Sequence, residues 1–185
     1  HPLNRLTYPC DCFEVIVVDD GSHTFLDSIV ESISDRLPVR LIQQSNSGPA
    51  MARNQRAAEA RGDFLAFTDD DCVPSPNWLD ALADTFRAAP DCGVGGKTVN
   101  ALIDNLNSAA SQVLLDYLYE YYNRASHGMK FFASYNLAIP RKAFLESGEF
   151  DSRYRRATDE DRELCDRWIS QGRRLRYTSE ALESH

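Results

Sequence analysis

No stretch of this 185-residue sequence approaches the roughly 20 apolar residues that a membrane-spanning helix needs. The opening residues lack the charged, apolar, small-residue order of a secretion signal. Positive charge is scarce: 20 Lys and Arg stand against 28 Asp and Glu, for a formal net charge of −8 and an isoelectric point near 5.0. Phosphate would meet net repulsion, which argues against nucleic acid as a partner, local basic patches excepted. The five cysteines (Cys10, Cys12, Cys72, Cys92 and Cys165) are odd in number and irregularly spaced, unlike a disulfide framework. Cys10 and Cys12 lack a second pair or a His partner at zinc-site spacing, so all five read as reduced structural thiols of a cytosolic protein. Repeats, low-complexity tracts and linkers are also missing. What is there, 43% hydrophobic and 26% charged residues, is a globular composition at the length of one domain, residues 1–185.

Short β-branched runs alternate with helical patterns. Glu14 to Val18 reads as a buried strand ending in the turn Asp19-Asp20-Gly21-Ser22. A helix is expected over 25–37 and a second strand over 39–43. Pro49 suits the first turn of a helix that Gly62 closes. Asp63 to Thr68 is a third strand running into Asp69-Asp70-Asp71, and 74–88 is helical. This alternation predicts an α/β domain with a mostly parallel sheet. Further on, strands are expected over 93–99, 134–139 and 174–178, with helices over 107–122, after Pro140 and over 158–171. In the helix 107–122, Val113, Leu114, Tyr117, Leu118 and Tyr121 share one side, which reads as a core stripe.

Two acidic clusters fall at the carboxyl ends of expected strands, where open α/β sheets bind ligands. For Asp19-Asp20, turn chemistry competes with ligand binding, because Asp bonds its own backbone. Three consecutive aspartates crowd like charge, which a divalent cation would relieve. Oxygen ligands suit Mg²⁺ or Mn²⁺. In extended backbone Asp69 and Asp71 would point to one side, as shared ligands of a metal–nucleotide assembly, and Asp70 to the other. The third cluster, Asp159-Glu160-Asp161, opens a helix, where acids complement the dipole and Thr158 can cap. Helical phase sets Asp161 amid the apolar face of Leu164, Cys165, Trp168 and Ile169, with Glu160 to the side. Burial there would raise its pKa, as a general base requires.

The segments Val17-Val18-Asp19-Asp20-Gly21-Ser22, Gly48-Pro49-Ala50-Met51-Ala52-Arg53-Asn54 and Gly62-Asp63-Phe64-Leu65-Ala66-Phe67-Thr68-Asp69-Asp70-Asp71 resemble family 2 glycosyltransferases of the GT-A fold. Asn136-Leu137-Ala138-Ile139, Gly148-Glu149-Phe150-Asp151 and Glu160-Asp161-Arg162-Glu163-Leu164 continue the pattern in order. The resemblance implies an inverting transfer of sugar from a nucleotide-sugar donor, UDP-linked by preference, to a carbohydrate or lipid-linked acceptor. It implies Asp20 and Arg53 at the nucleotide base, Asp69 near the ribose or sugar, and Asp71 on the metal, with Asp70 as an alternative ligand. Asp161 matches the family's general base. The same resemblance expects a central first strand that this sequence lacks, with His1 to Arg5 falling inside the first helix. An acceptor loop is expected near 126–130.

Weaker candidates carry two readings each. His185, after Glu180-Ala181-Leu182-Glu183-Ser184, is a metal or diphosphate ligand or a frayed surface residue. Lys97 reaches the diphosphate or is solvated. Trp78 and Tyr135 line an acceptor site or pack in the core. Arg153, Arg155 and Arg156 form a solvated loop or meet an anionic acceptor. A sugar-nucleotide nucleotidyltransferase, which normally carries a Gly-rich loop with Arg and Lys, and a non-catalytic nucleotide-sugar-binding subunit are the competing functions. The expected location is cytoplasmic, with peripheral association at the inner membrane face left open.

Overall fold

The structure is a computed structural model, and it describes residues 2–23, 26–102, 104–122, 129–154 and 159–185. In chain order the strands are β1 Val15–Asp19, β2 Val39–Gln43, β3 Phe64–Phe67, β4 Val73–Pro74, β5 Cys92–Val99, β6 Leu137–Pro140 and β7 Arg174–Ser184. The helices are α1 Asp27–Ser34, α2 Pro49–Glu59, α3 Trp78–Ala88, α4 Leu106–Tyr122, α5 Arg141–Ser147 and α6 Glu160–Ser170. The α/β class and most element positions match the sequence pattern. Pro2–Arg5 forms a single 3-10 turn rather than part of a longer helix.

The sheet differs from the mostly parallel one expected. β1 and β2 pair in parallel, and β3-β6-β5-β7-β4 form a second sheet. Within the second sheet only β5 and β7 run parallel, while β3–β6, β5–β6 and β4–β7 are antiparallel. The reason lies in β6 and β4. β4 follows β3 through a short turn with no helix between them, and β6, although it comes after α4, runs back antiparallel between β3 and β5.

Three glycines let β5 run through the centre of the second sheet. A Cβ on Gly95 would lie 2.0 Å from the Phe132 ring, and one on Gly96 would lie 2.2 Å from the Ala181 carbonyl. Gly96 also marks an irregularity. The β5–β7 register passes from Gly95 opposite Tyr177 to Lys97 opposite Leu182, so β7 bulges at 178–181. The side-chain amide of Asn136 takes up the carbonyls left there, donating to Lys97 and Ala181 at 3.1 Å each. Its oxygen accepts from Trp78 Nε1 at 3.0 Å. Beyond the bulge the pairing resumes, and His185 continues it through bonds to Val99 and Ala101.

One apolar cluster sits between α2, α5, α6 and the sheet, around Leu65, Phe132, Ile139, Phe144, Phe150 and Trp168. A second packs α3 on the other side through Trp78, Leu82, Phe86 and Val94. Trp78 is thus a core residue bonded to Asn136, not part of an acceptor surface.

Most of the stripe expected to be core on α4 is outside, Leu118 alone among its five residues being partly buried. Val113, Leu114, Tyr117 and Tyr121 are all more than half exposed. The inward side is carried by Gln112, bonded to the Thr98 carbonyl, and Tyr119, bonded to the Ala133 amide. Apolar residues occupy both sides of this helix, so its periodicity does not determine which side is buried.

Gly96→Ala tests the close approach at the bulge. The added methyl should lower stability by about 1–3 kcal/mol, or prevent folding, as read by urea unfolding. A midpoint unchanged from wild type would show that β5 and β7 can separate there at no cost.

Candidate active site

The carboxyl ends of β1 and β3, the end of β7, the 3-10 turn Ser134–Asn136 and the start of α6 supply the site residues. At β1, Asp19 accepts the Ser22 amide at 2.7 Å, an Asx-type turn. Asp20 is turned to the loop before α2. One of its oxygens accepts Gln44 Nε2 at 2.7 Å and Ser47 N at 2.9 Å, and the other accepts Gly48 N at 2.8 Å. Burial alone would raise the Asp20 carboxyl, but these bonds outweigh it and hold it below the usual range. Gly48, at φ +89°, then admits Pro49 as the first helical residue of α2. Asp20 therefore shapes the loop that precedes α2.

Asp69, Asp70 and Asp71 do not continue β3 as extended backbone. They form a turn closed by the Cys72 amide on the Asp69 carbonyl at 3.2 Å. Asp69 and Asp71 consequently face different partners, unlike the shared side expected. Asp69 accepts Arg53 Nη2 at 2.8 Å, Asp71 meets His185 Nε2 at 3.2 Å, and Asp70 is exposed.

Arg53, from α2, bridges two acidic clusters. Besides Asp69 it pairs with Glu160 at 3.3 Å, and its guanidinium stands 5.7 Å over the Phe150 ring. Glu160 is only 2% exposed, which the helical-phase argument missed by placing it to the side. A buried carboxylate needs such a partner, and an arginine with matching spacing in a neighbouring motif is the signal that could have found it. Beside Glu160, Asp161 accepts the Ser134 amide at 3.0 Å. Burial raises the Asp161 pKa, reinforced by Glu160 and opposed by the Ser134 bond and Arg53. Its proton affinity is shifted in the direction the sequence anticipated. Thr158, Arg155, Arg156 and the loop residues 126–128 lie outside the described residues, so the capping and acceptor-loop readings go with them.

Asp71, Cys72 and His185 bring one ligand atom each within 4.8 Å of one another. The carboxylate suits Mn²⁺ or Mg²⁺, and an imidazole nitrogen beside it favours Mn²⁺ over Mg²⁺. The Cys72 thiol is buried, and its pKa is pushed up to about 12 by that burial, with Glu183 and the aspartates adding to it. Thiolate is a soft ligand and Mn²⁺ and Mg²⁺ are hard cations, so Asp71 and His185 are the better-fitting pair. His185 is not frayed: its backbone is bonded on both sides and its ring stacks on Tyr135. Lys97 is elsewhere. It is exposed beside Tyr119, Asp116 and Tyr177 at a cavity of about 250 Å³ whose lining does not include Asp69, Asp70 or Asp71. Arg153 is exposed and tied to Asp151.

Glu183 lies under this site, fully buried, with neither oxygen hydrogen-bonded in good geometry. Burial pushes its pKa up to about 8, and the nearby Thr68 hydroxyl offsets only part of this. The folded pKa exceeds the unfolded one, so this group's contribution to stability is present below the unfolded pKa and lost as pH rises toward about 8. Glu183→Gln, which resembles the neutral acid, should flatten that loss. Urea midpoints of wild type and variant at about pH 5 and about pH 9 measure it, and parallel losses in both would refute the assignment.

A family model, "Glycosyl transferase family 2", matches residues 3–148. The chain is 30% identical over 189 residues to a pre-mycofactocin glycosyltransferase of Mycobacterium tuberculosis, covering 99% of this chain but 39% of that relative's length. Among solved structures it is similar to a mannosyltransferase from Pyrobaculum calidifontis in complex with GDP-Man and Mn²⁺, at TM-score 0.74 and 20% identity, covering 100% of this chain and 50% of that one. It is also similar to S. aureus TarS in complex with UDP-GlcNAc, at TM-score 0.74 and 20% identity, covering 100% of this chain and 52% of that one. The fold is that of GT-A glycosyltransferases, and the chain belongs to glycosyl transferase family 2.

Proposed function

We propose that this domain transfers a sugar from a nucleotide-diphosphate sugar, UDP-linked by preference, to a hydroxyl of a carbohydrate or lipid-linked acceptor, inverting the anomeric centre. The observation that carries this reading is the Arg53 bridge. By pairing with Asp69 and Glu160 at once, it draws the acidic turn after β3 against the first turn of α6. Donor-side acids and the raised carboxyl of Asp161 are thereby brought to one side of Arg53's bridge between α2, the acidic turn and α6.

The chemistry follows from those groups. An acceptor hydroxyl ionises far above neutral pH, so a carboxylate must take its proton during attack. Asp161, raised by burial, is poised for that role. The reaction centre passes through an oxocarbenium-like state while negative charge grows on the departing diphosphate. A divalent cation, Mn²⁺ or Mg²⁺, held by Asp71 and His185, would supply Lewis-acid stabilisation of that charge. Asp69 is held by Arg53 beside the donor sugar or ribose. Asp20 sets the loop that receives the nucleotide base. The mannosyl and UDP-GlcNAc complexes of the fold relatives support a nucleotide-sugar donor without selecting the sugar. The exposed apolar side of α4 is a surface for peripheral membrane contact if the acceptor is lipid-linked.

Calorimetric titration of UDP and GDP on the full-length protein, each with and without Mn²⁺, tests the donor site. Metal-dependent UDP binding is expected, and it should lose its metal dependence in Asp71→Ala. Preferential GDP binding would overturn the preference for a UDP-linked donor, and binding of neither would overturn the donor reading. Asp161→Asn should lower transfer by about 10²–10⁴-fold while UDP affinity is retained. Near-normal turnover in that variant would remove Asp161 as the base.

A further inference from the structure

Tyr135 lies between two parts of the candidate site, stacked on His185 and adjacent in sequence to the Ser134 that bonds Asp161. Its ring stacks on the His185 imidazole, with centroids 5.3 Å apart and planes inclined by 15°. That imidazole presents Nε2 to Asp71 at 3.2 Å. On the other side, the preceding residue Ser134 gives its amide to Asp161, and the following residue Asn136 is locked by its three bonds at the β5–β7 bulge. Tyr135 is therefore anchored through its neighbours and contributes a rigid aromatic face. Burial pushes its hydroxyl well above the ordinary tyrosine range, with Tyr119, Cys72, Asp161 and Asp69 adding to it, so the ring stays neutral.

His185 needs such a face. Its backbone is pinned by the bonds to Val99 and Ala101, but 46% of its side chain is exposed. An exposed imidazole samples several rotamers, and fixing it only when a cation arrives would cost affinity. Stacking on an anchored ring selects one rotamer beforehand.

We infer that Tyr135 is a positioning residue whose ring holds the His185 imidazole in register with Asp71, so that the two present a pre-formed pair to a divalent cation. The inference rests on the metal reading above. It assigns Tyr135 a role through His185, with the ring rather than the hydroxyl as the active part.

Mn²⁺ itself is the probe. Electron paramagnetic resonance of free Mn²⁺ gives its affinity for the full-length protein, with and without UDP, for wild type, Tyr135→Phe, Tyr135→Leu, His185→Ala and the double variant Tyr135→Leu/His185→Ala. Tyr135→Phe keeps the ring and should match wild type. Tyr135→Leu should weaken Mn²⁺ binding roughly three- to tenfold. In the His185→Ala background the same change should have no further effect, because the ring then has nothing to position. An equal loss in both backgrounds, or no loss in Tyr135→Leu alone, would overturn the inference. Should Tyr135→Leu fail to fold, Tyr135→Met replaces it. The His185 ring protons offer a second reading in the unaltered protein: the stack predicts a ring-current shift, assigned by its loss in His185→Ala, and unshifted positions would count against it. If wild type binds no Mn²⁺ even with UDP, the metal reading itself fails. If wild type binds and Tyr135→Leu binds equally well, only the role of Tyr135 fails.

Discussion

The side-chain amide of Asn136 holds the second sheet in the form that makes a site possible. At 1% exposure it spends its amide nitrogen on two carbonyls of the β5–β7 bulge and its oxygen on Trp78 of α3. A buried carbonyl left without a partner costs about 1–3 kcal/mol, and Asn136 supplies a donor to both. The bulge in turn sets the register of the last part of β7. A strand paired without it would carry His185 past the acidic turn; with it, the residue ends beside Asp71. A structural asparagine in the 3-10 turn before β6 thus determines where a candidate metal ligand after β7 sits.

A second connection is electrostatic. Arg53 lies between an exposed acid and a buried one, and the two pairs are not equivalent. Asp69 is partly in water, where a pair contributes little on its own. Glu160 is almost fully desolvated, and Arg53 supplies a cation to that buried charge. The pairing is thus better understood as fixing the relative placement of α2, α6 and the turn after β3 than as a source of net stability. Asp161 profits from that placement: it is desolvated enough to have its pKa raised, yet the Ser134 amide keeps its carboxylate oriented.

The acidic turn and α4 show where local pattern and tertiary environment part company. Strand alternation would set Asp69 and Asp71 on one side, but the Cys72 amide closes a turn and sends them to Arg53 and His185. On α4 the apolar residues form a good stripe, and the fold leaves it in solvent because Tyr119 and Gln112 on the opposite side find specific hydrogen-bond partners. A hydrophobic period reports that a helix is amphipathic, but not which of two usable sides meets the core.

Much of this protein is legible in its residues alone. The β-branched runs, Pro49 before a helix, the acids at strand ends and the phase of Asp161 in α6 are local properties, set by backbone sterics, capping and side-chain spacing. They suffice for the α/β class, for most element boundaries and for the candidate base. The family resemblance adds the order of the motifs. Strand direction in the second sheet, the burial of Glu160, the bulge at Gly96 and the stack of Tyr135 on His185 belong to the tertiary structure. Each depends on contacts between residues far apart in the chain, whose free energies no local window contains.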